Sequence, residues 1–521
     1  MLYYPSTPRL LGRTSGGIKE WFFLANPPDR YAYPWGPEVV LKAATAVGPM
    51  GRHLIHSVWT TSTLDKVQNA LTPLDWTSID VLRMGEARLP VEERTVVVWV
   101  GVNPQVVPTT QWELYAHVLR NIREALDADG LQDVECELRA SRVSLGAGPR
   151  LLLPAQGKER QRQSDHEAQV SQTVATTVGQ SISPQSALHK EGTLGLYLAP
   201  APGHNSLSSN TASKMVWGLT CHHVVLPEHS DNVSSTGNGG QDSNRLKVVL
   251  PGAAPMQNAF DRVNDLLDNP SESKDTAQRL GAPKSTLEAL SASSEAREIG
   301  YIYRSPPMAV DEDKRFTKDW ALVALDKAKF PPEFSFENVV DIETDKPSTF
   351  QLRQEVRKAL GSDKFIFPPD GQMRLKGVIP PREILGGPIS HSLVTTRRGD
   401  ERLIVLKRGR STDLTAGVAL DVESVVRTSF GDEPMISSKW TIIDIRQAKP
   451  DPNKQKLPLF SETGDSGAIV FDLRGRVGGM ITVGTSATQR AIRGYDLTYA
   501  TPFERLYKAI ELDLGHPVYI C

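Results

Sequence analysis

The chain has 521 residues, a formal net charge of −2, 39% hydrophobic residues and 23% charged residues. That balance gives no reason to invoke nucleic acid or an anionic membrane as a partner, and no apolar run reaches the length of a membrane span. Cys136, Cys221 and Cys521 are far apart and odd in number, which argues against a disulfide framework and predicts an intracellular, cytoplasmic setting.

The length predicts two or three domains. The opening Met1-Leu-Tyr-Tyr-Pro5 lacks the basic-then-apolar pattern of a secretory signal. Residues 1 to about 30 are rich in Pro, Gly and Tyr and are expected to be irregular. Glu38 to Leu54 reads as a helix, with Val39, Leu41, Ala44 and Val47 spaced for one face. Ile79–Met84 and Thr95–Val100 read as strands, the second buried on both faces. Thr110-Gln-Trp-Glu113 resembles a capping box, opening a helix whose stripe is Trp112, Leu119, Ile122 and Leu126, with Gly130 near its end. Val134–Leu138 alternates as a half-buried strand. These elements predict a small α+β domain over 1–153, with no nucleotide loop, metal cluster or catalytic pair, serving as a scaffold or a protein-partner site. Residues 154–190 are Gln-, Ser- and Arg-rich with almost no apolar period, the composition of a flexible linker.

From Glu191 onward the pattern changes to short strands separated by turn signals. Glu191–Leu198 and Met215–Thr220 read as strands, and the second leads to Cys221-His-His223. Ser230–Asn244 is an expected exposed loop. Ala254–Leu267 and Thr286–Ile299 have helical spacing, interrupted by Pro270 and Pro283, and predict a helical insertion. Ile299–Tyr303 and Trp320–Leu325 resume the sheet pattern, with Asp319 at the mouth of the second. Ser348–Leu360 reads as a helix. Leu403–Leu406, Trp440–Asp444, Ala468–Phe471, Val477–Gly484 and Tyr499–Pro502 read as strands, and Phe503–Leu512 as a closing helix. Short strands with these turns fit a pair of Greek-key barrels.

The chemistry concentrates in Ser461-Glu-Thr-Gly-Asp-Ser-Gly467. Gly464 and Gly467 flank Asp465 and Ser466, so the backbone can take φ > 0, push the Ser466 hydroxyl outward and aim consecutive N–H groups at one point. An ordinary turn before a strand fits those residues equally well by themselves. A histidine at 223 and an aspartate at 319 upstream tip the reading toward nucleophilic catalysis. Together Thr220-x-x-His223-Val224, Asp319-Trp-Ala-Leu322 and Gly464-Asp-Ser-Gly467 resemble the three signature segments of the chymotrypsin/trypsin-like serine protease family, in its intracellular branches and in trypsin-like proteins of filamentous fungi. The resemblance covers about 190–515.

It implies a fold class of an α+β N-terminal domain followed by an all-β double Greek-key barrel with helical insertions. The protease domain is then 191–515, with a first barrel at about 191–335 and a second at about 395–512. It also implies a serine endopeptidase acting on protein or peptide substrates, with Ser466 as nucleophile, His223 as base, Asp319 as its orienting partner, and the Gly464 and Ser466 N–H groups as oxyanion hole. His223 is preferred to His222 by motif spacing and because side chains alternate along an extended segment. Asp311, Asp313 and Asp326 rival Asp319, but only Asp319 begins an apolar strand. Spacing from Ser466 places a specificity pocket at Phe460, Thr482, Val483, Gly484 and Leu497, which predicts an apolar preference. No Ile-Val-Gly-Gly start precedes the first strand near Gly192, so Asp465 is expected to pair with an internal Arg or Lys. No metal or other cofactor is called for; Cys221 beside His222 reads as a small buried residue. The reading of a different class is a protease-like binding or adaptor module in an intracellular signalling assembly.

Overall fold

The computed structural model describes residues 10–14, 45–48, 50–51, 53–86, 90–102, 112–140, 143–144, 176–201, 215–226, 245–268, 274–291, 294–311, 315–331, 334–342, 347–360, 365–385, 403–430, 433–446, 459–485 and 497–521. In the N-terminal part, strands β1 (Leu10–Thr14), β2 (Thr45–Gly48), β3 (Trp76–Glu86), β4 (Thr95–Val102) and β5 (Val134–Ala140) form one sheet in the order β1-β5-β4-β3, with β2 against β3. β4 is an unalternating β-branched run, and Val96 to Val102 are all buried, as such a run requires. β4 and β5 run parallel, so a crossover must join them. Helix α1 (Leu64–Leu71) precedes β3, and the crossover itself is α2 (Trp112–Ala128). Tyr115, Val118, Leu119, Ile122 and Leu126 bury one face of α2. Gly130, at φ 77°, takes the left-handed conformation just past its end.

Two expectations fail here. β1 lies inside the stretch expected to be irregular, and β2 occupies part of the helix expected over Glu38–Leu54. Thr45–Gly48 satisfies its backbone on the long edge of β3, with Val47 opposite Met84, and this pairing overrides the helical spacing. Gly48 also fits that register closely: a Cβ there would lie 2.8 Å from Val91. Residues 38–44 and Thr110 of the expected capping box lie outside the described residues.

A two-residue strand, β6 (Val143–Ser144), follows. The next sheet holds β7 (Gln180–Pro184), β8 (Gly192–Leu194), β9 (Leu196–Pro200), β10 (Trp217–Thr220), β11 (Lys247–Val249), β12 (Glu298–Arg304), β13 (Ala321–Leu325) and β23 (Val518–Ile520). It is 8-stranded, in the order β23-β9-β10-β13-β12-β11-β7-β8. It curls back on itself: the Gly195 N–H donates to the Leu219 carbonyl at 2.7 Å, and Leu194 packs on Gly218. β7 is buried and paired on both sides, so the expected linker over 154–190 does not extend through Gln180–Pro184; 154–175 and the loop 230–244 lie outside the described residues. The chain's last strand, β23, pairs with β9 and extends this sheet beyond residue 515, the expected end of the protease region.

Helices α3 (Ala253–Asp268) and α4 (Lys274–Ser291) form the insertion between β11 and β12. α4 runs through Pro283 instead of breaking there. Its Leu280 and Leu287 pack against Met256, Ala259, Val263 and Leu266 of α3, and that burial outweighs the lost helical hydrogen bond. The short pair β14 (Val339–Asp341) and β15 (Gln372–Arg374) brackets helix α5 (Pro347–Leu360).

The remaining strands are β16 (Ile404–Gly409), β17 (Asp413–Ala419), β18 (Ser424–Phe430), β19 (Glu433–Asp444), β20 (Ile469–Asp472), β21 (Val477–Thr485) and β22 (Thr498–Pro502), with α6 (Phe503–Leu514) after them. The ring β16-β20-β21-β22-β19-β17 closes on itself through consecutive antiparallel pairs. Val405, Ala419, Trp440, Ile442, Val470, Ile481 and Ala500 fill its interior. The chain is therefore an α+β N-terminal region followed by a curled antiparallel half-barrel sheet and a closed six-stranded antiparallel barrel, called below the first and the second barrel.

β18 pairs with β3, Val425 opposite Ile79 and Val426 opposite Ser78, so the N-terminal sheet and the second barrel form a single 13-stranded sheet. β6 pairs with β21 at Gly484 and Thr485. The Tyr499 hydroxyl on β22 reaches the buried carboxyl of Asp80 on β3, at 3.0 and 3.2 Å. Tyr499→Phe should cost about 1–2 kcal/mol because it strips a donor from that buried acid. A lowered urea midpoint with unchanged m-value is the expected readout.

Candidate active site

β10 ends at Thr220, Cys221 is extended, and His222–Val225 is a single helical turn. The two histidines are thus separated by about 100° around a helix, not by strand alternation. His223 is still the one that meets the acid. Its Nδ1 lies 2.8 Å from Asp319 Oδ2, and its backbone N–H donates to Oδ1 at 3.3 Å. His222 instead places Nδ1 2.8 Å from Ser305 Oγ, whose own hydroxyl donates to the Trp320 carbonyl. Burial holds the His222 imidazole below its ordinary range, so it is a neutral structural residue.

Asp319 sits just before β13 and is 1% exposed. Burial alone would raise its carboxyl, but His223 and then Lys439 outweigh that and hold it below the usual carboxylate range. An ionised carboxylate only accepts hydrogen bonds, so the proton of the contact belongs to His223 Nδ1. In the neutral ring Nε2 is then the lone-pair nitrogen. It is buried and has no hydrogen-bond partner among the described residues.

The turn that presents Ser466 is pinned from both barrels. Asp465 points inward and is fully buried. Its oxygens accept from Lys407 Nζ at 3.1 Å, Thr412 Oγ1 at 2.7 Å, the Ser411 N–H at 2.7 Å and the Glu462 N–H at 2.9 Å. Burial pushes the Asp465 carboxyl up; Lys407 and the backbone donors more than offset it, and the group is a carboxylate. This is the expected internal partner: Lys407, itself 0% exposed, on β16. From the first barrel, the Thr193 N–H donates to the Ser466 carbonyl at 2.8 Å and Thr193 Oγ1 to the Gly464 carbonyl at 2.9 Å. Gly464 and Gly467 have φ of 106° and 93°, and a Cβ on Gly467 would lie 2.2 Å from the Thr193 carbonyl, so both positions require glycine.

The Gly464 and Ser466 N–H groups find no acceptor among the described residues. The Ser466 hydroxyl donates to the Thr482 carbonyl at 3.5 Å. The histidine segment closes on the same turn: Thr220 Oγ1 would lie 2.6 Å from a Cβ on Gly467, and Cys221 Sγ contacts the Ile481 carbonyl at 3.3 Å.

Two neighbours, Lys439 and Cys221, were not singled out as site residues from sequence. Lys439, on β19, is 1% exposed, and its Nζ donates to Thr482 Oγ1 at 3.1 Å and Thr501 Oγ1 at 3.2 Å. Burial pushes its pKa down to about 8, against the pull of Asp319 and Cys221. The Cys221 thiol is driven well up, first by burial and then by Asp319, so it is no thiolate nucleophile. Cys221, His223 and Asp319 have ligand atoms within 4.8 Å of one another, a grouping that sequence separation hid. Their atoms are already engaged with each other and with Ile481, and a metal there would displace the Nδ1–carboxylate bond.

The expected pocket residues divide. Thr482, Val483 and Gly484 lie on β21, and the Thr482 carbonyl meets Ser466 Oγ. Phe460 is 0% exposed, grouped with Trp440 and Ile442 in the barrel interior, and its ring packs where a Cβ on Gly417 would fall. Leu497 is likewise fully buried. Near Gly484 stands a hydroxyl pair instead, Ser461 Oγ and Thr498 Oγ1 at 2.6 Å.

No protein-family model matches the sequence, and no curated protein sequence is similar to it. Among solved structures the chain is similar to protease A of Thermobifida fusca, at 10% identity and TM-score 0.28, over 66% of this chain and 99% of that one. A glutamic-acid-specific serine protease gives 10% identity and TM-score 0.29, over 66% and 100%. The chymotrypsin of Cellulomonas bogoriensis gives 9% identity and TM-score 0.26, over 66% and 98%.

Lys407→Met should destabilise the protein by about 3–5 kcal/mol, because it strands the Asp465 carboxylate in a dry site; equilibrium unfolding in urea reads this directly. Lys439 titrates near 8 when folded against 10.5 as its ordinary value. Between those values the unfolded chain holds more protons, so this group makes stability rise with pH across that window. Lys439→Met should remove the rise, and the difference between wild-type and variant unfolding free energies at pH 8 and pH 10 measures it.

Proposed function

We propose that the chain is a serine endopeptidase that hydrolyses peptide bonds through an acyl-enzyme at Ser466. The observation that carries this reading is the tautomer imposed on His223: Nδ1 is committed to Asp319, and Nε2 keeps a buried, unpartnered lone pair. A buried acceptor without a partner is costly, and a catalytic base is a reason to retain it.

In the proposed reaction Ser466 turns its hydroxyl from the Thr482 carbonyl toward His223. Oγ attacks the substrate carbonyl carbon as its proton passes to Nε2. The Asp319 carboxylate stabilises the imidazolium that forms. The Gly464 and Ser466 N–H groups receive the oxyanion, a contribution worth about 10²–10³ in rate per donor. The imidazolium then returns its proton to the leaving amine, and water repeats the sequence to release the acid and restore Ser466. Substrate peptides would lie along the edge of β21 at Thr482 and Val483 by main-chain pairing. The chain's own β6 already pairs at Gly484 and Thr485, so a substrate shares that edge with it. The Ser461–Thr498 hydroxyls supply polar atoms near Gly484, in place of the apolar base expected from Phe460.

The Ser466–Thr482 bond is the one observation that favours the other reading, a protease-like binding module whose serine never meets its base. A fluorophosphonate probe separates the two. Ser466→Ala should abolish labelling and amidase activity with the fold intact, and the probe should leave the wild type unlabelled only if the binding-module reading holds. His223→Ala should be as inactive as Ser466→Ala, since such groups act as a unit. His222→Ala should retain turnover while losing some stability with its Ser305 bond. Ser144→Pro, which removes a main-chain donor from β6, should lower KM for long peptides more than for short ones.

A further inference from the structure

The turn joining β16 to β17 touches the nucleophile segment at a peptide that Asp465 does not reach. Arg410 is almost fully buried. Its Nη1 donates to the Thr463 carbonyl at 3.3 Å and to Ser411 Oγ at 2.6 Å, and its Nη2 lies 3.4 Å from Glu191 Oε2. Ser411 Oγ donates to the same Thr463 carbonyl at 2.5 Å. The backbone N–H of Arg410 donates to Thr193 Oγ1 at 3.2 Å, and that hydroxyl donates onward to the Gly464 carbonyl. Both carbonyls that flank Gly464 are therefore held, one by the Arg410 and Ser411 side chains and the other through Thr193.

In a trans peptide the carbonyl and the following N–H point to opposite sides. A Thr463 carbonyl drawn toward Arg410 and Ser411 fixes the Gly464 N–H in the opposite direction. Gly464 at φ 106° is the residue through which this peptide could rotate, because glycine accepts either sign of φ. Without the two donors the carbonyl would be free to turn and take the place of the N–H.

We propose that Arg410 and Ser411 are positioning residues that lock the Thr463–Gly464 peptide with its N–H presented as an oxyanion donor, and that Glu191 from the first barrel aims the Arg410 fork. The inference rests on the endopeptidase reading above and adds residues that touch neither substrate nor reacting atoms. It also assigns the orienting work in this turn to two separate devices. Lys407 holds the Asp465 side chain, and Arg410 with Ser411 holds the preceding peptide. The planar guanidinium suits the task because it reaches two carbonyl or hydroxyl acceptors and a carboxylate from one rigid plane.

Three variants test this: Ser411→Ala, Glu191→Gln, and the double variant Arg410→Met with Ser411→Ala. The double variant should lose about 10²-fold in kcat with KM changed less than threefold, the signature of a missing oxyanion donor. Affinity for a peptide aldehyde, whose adduct with Ser466 carries the oxyanion, should fall in parallel with kcat/KM, while a non-covalent product peptide binds as before. The milder single variants should show the same split at smaller size, and they cover the case in which the double variant does not fold. A crystal structure of the double variant should show the Thr463–Gly464 peptide turned over. The same peptide orientation in that crystal, or an unchanged aldehyde affinity with a proportional loss of both kcat and product-peptide binding, overturns the clamp. A wild type that reacts with neither aldehyde nor fluorophosphonate defeats the endopeptidase reading instead, and the peptide orientation still judges the clamp on its own.

Discussion

The buried carboxylate of Asp465 is the constraint around which the site is assembled. It is a charge with no access to water, so it must be met by donors from every side. Those donors come from Lys407 on β16, from the turn at Ser411 and Thr412, and from the Glu462 N–H of its own loop. Net stability is not what such a pair secures, since an apolar replacement of the same shape is often as stable. What it secures is direction: with the side chain of Asp465 drawn inward, the backbone on either side is turned so that the Ser466 hydroxyl meets the Thr482 carbonyl of β21. Close packing of Gly467 on Thr193 then fixes how near the first barrel may come.

The first barrel contributes through Glu191. This carboxylate abuts Gly252, where a Cβ would lie 2.3 Å away, and Arg297 and Arg410 both lie in its field. Gly252 immediately precedes α3 and Arg297 stands between α4 and β12, so the two stems of the helical insertion meet behind the same acid that reaches the nucleophile turn. Segments separated widely in sequence thus share one electrostatic junction.

How much of this the sequence discloses depends on whether the signal is local. The Gly464-Asp-Ser-Gly467 turn, the His223 position and the apolar strand after Asp319 are short patterns with their own stereochemistry, and the structure brings the three segments together. The β-branched run of β4 and the stripe of α2 are equally local. Lys439 and the Ser461–Thr498 pair carry no such pattern; their meaning comes from what the barrel closure places opposite them. Arg410 carries no such pattern either; its meaning comes from the Thr463 carbonyl and Glu191 around it. Spacing from Ser466 points to Thr482–Gly484, and the Thr482 carbonyl does meet Ser466 Oγ, but spacing could not tell that Phe460 turns into the barrel, since direction depends on strand closure. The Glu38–Leu54 reading failed because the free edge of β3 offered Thr45–Gly48 a better partner than its own helix.

The shared sheet has a bearing on what holds the molecule in one piece. The backbone bonds between β3 and β18, the Tyr499–Asp80 contact and the β6–β21 pair all run between the N-terminal region and the second barrel. None of them involves residues 145–175, the chain that connects β6 to the first barrel. Peptide-bond continuity through that connector is therefore redundant for cohesion: a single cut there would yield two polypeptides that still travel as one particle, separable only by conditions that melt the sheet itself.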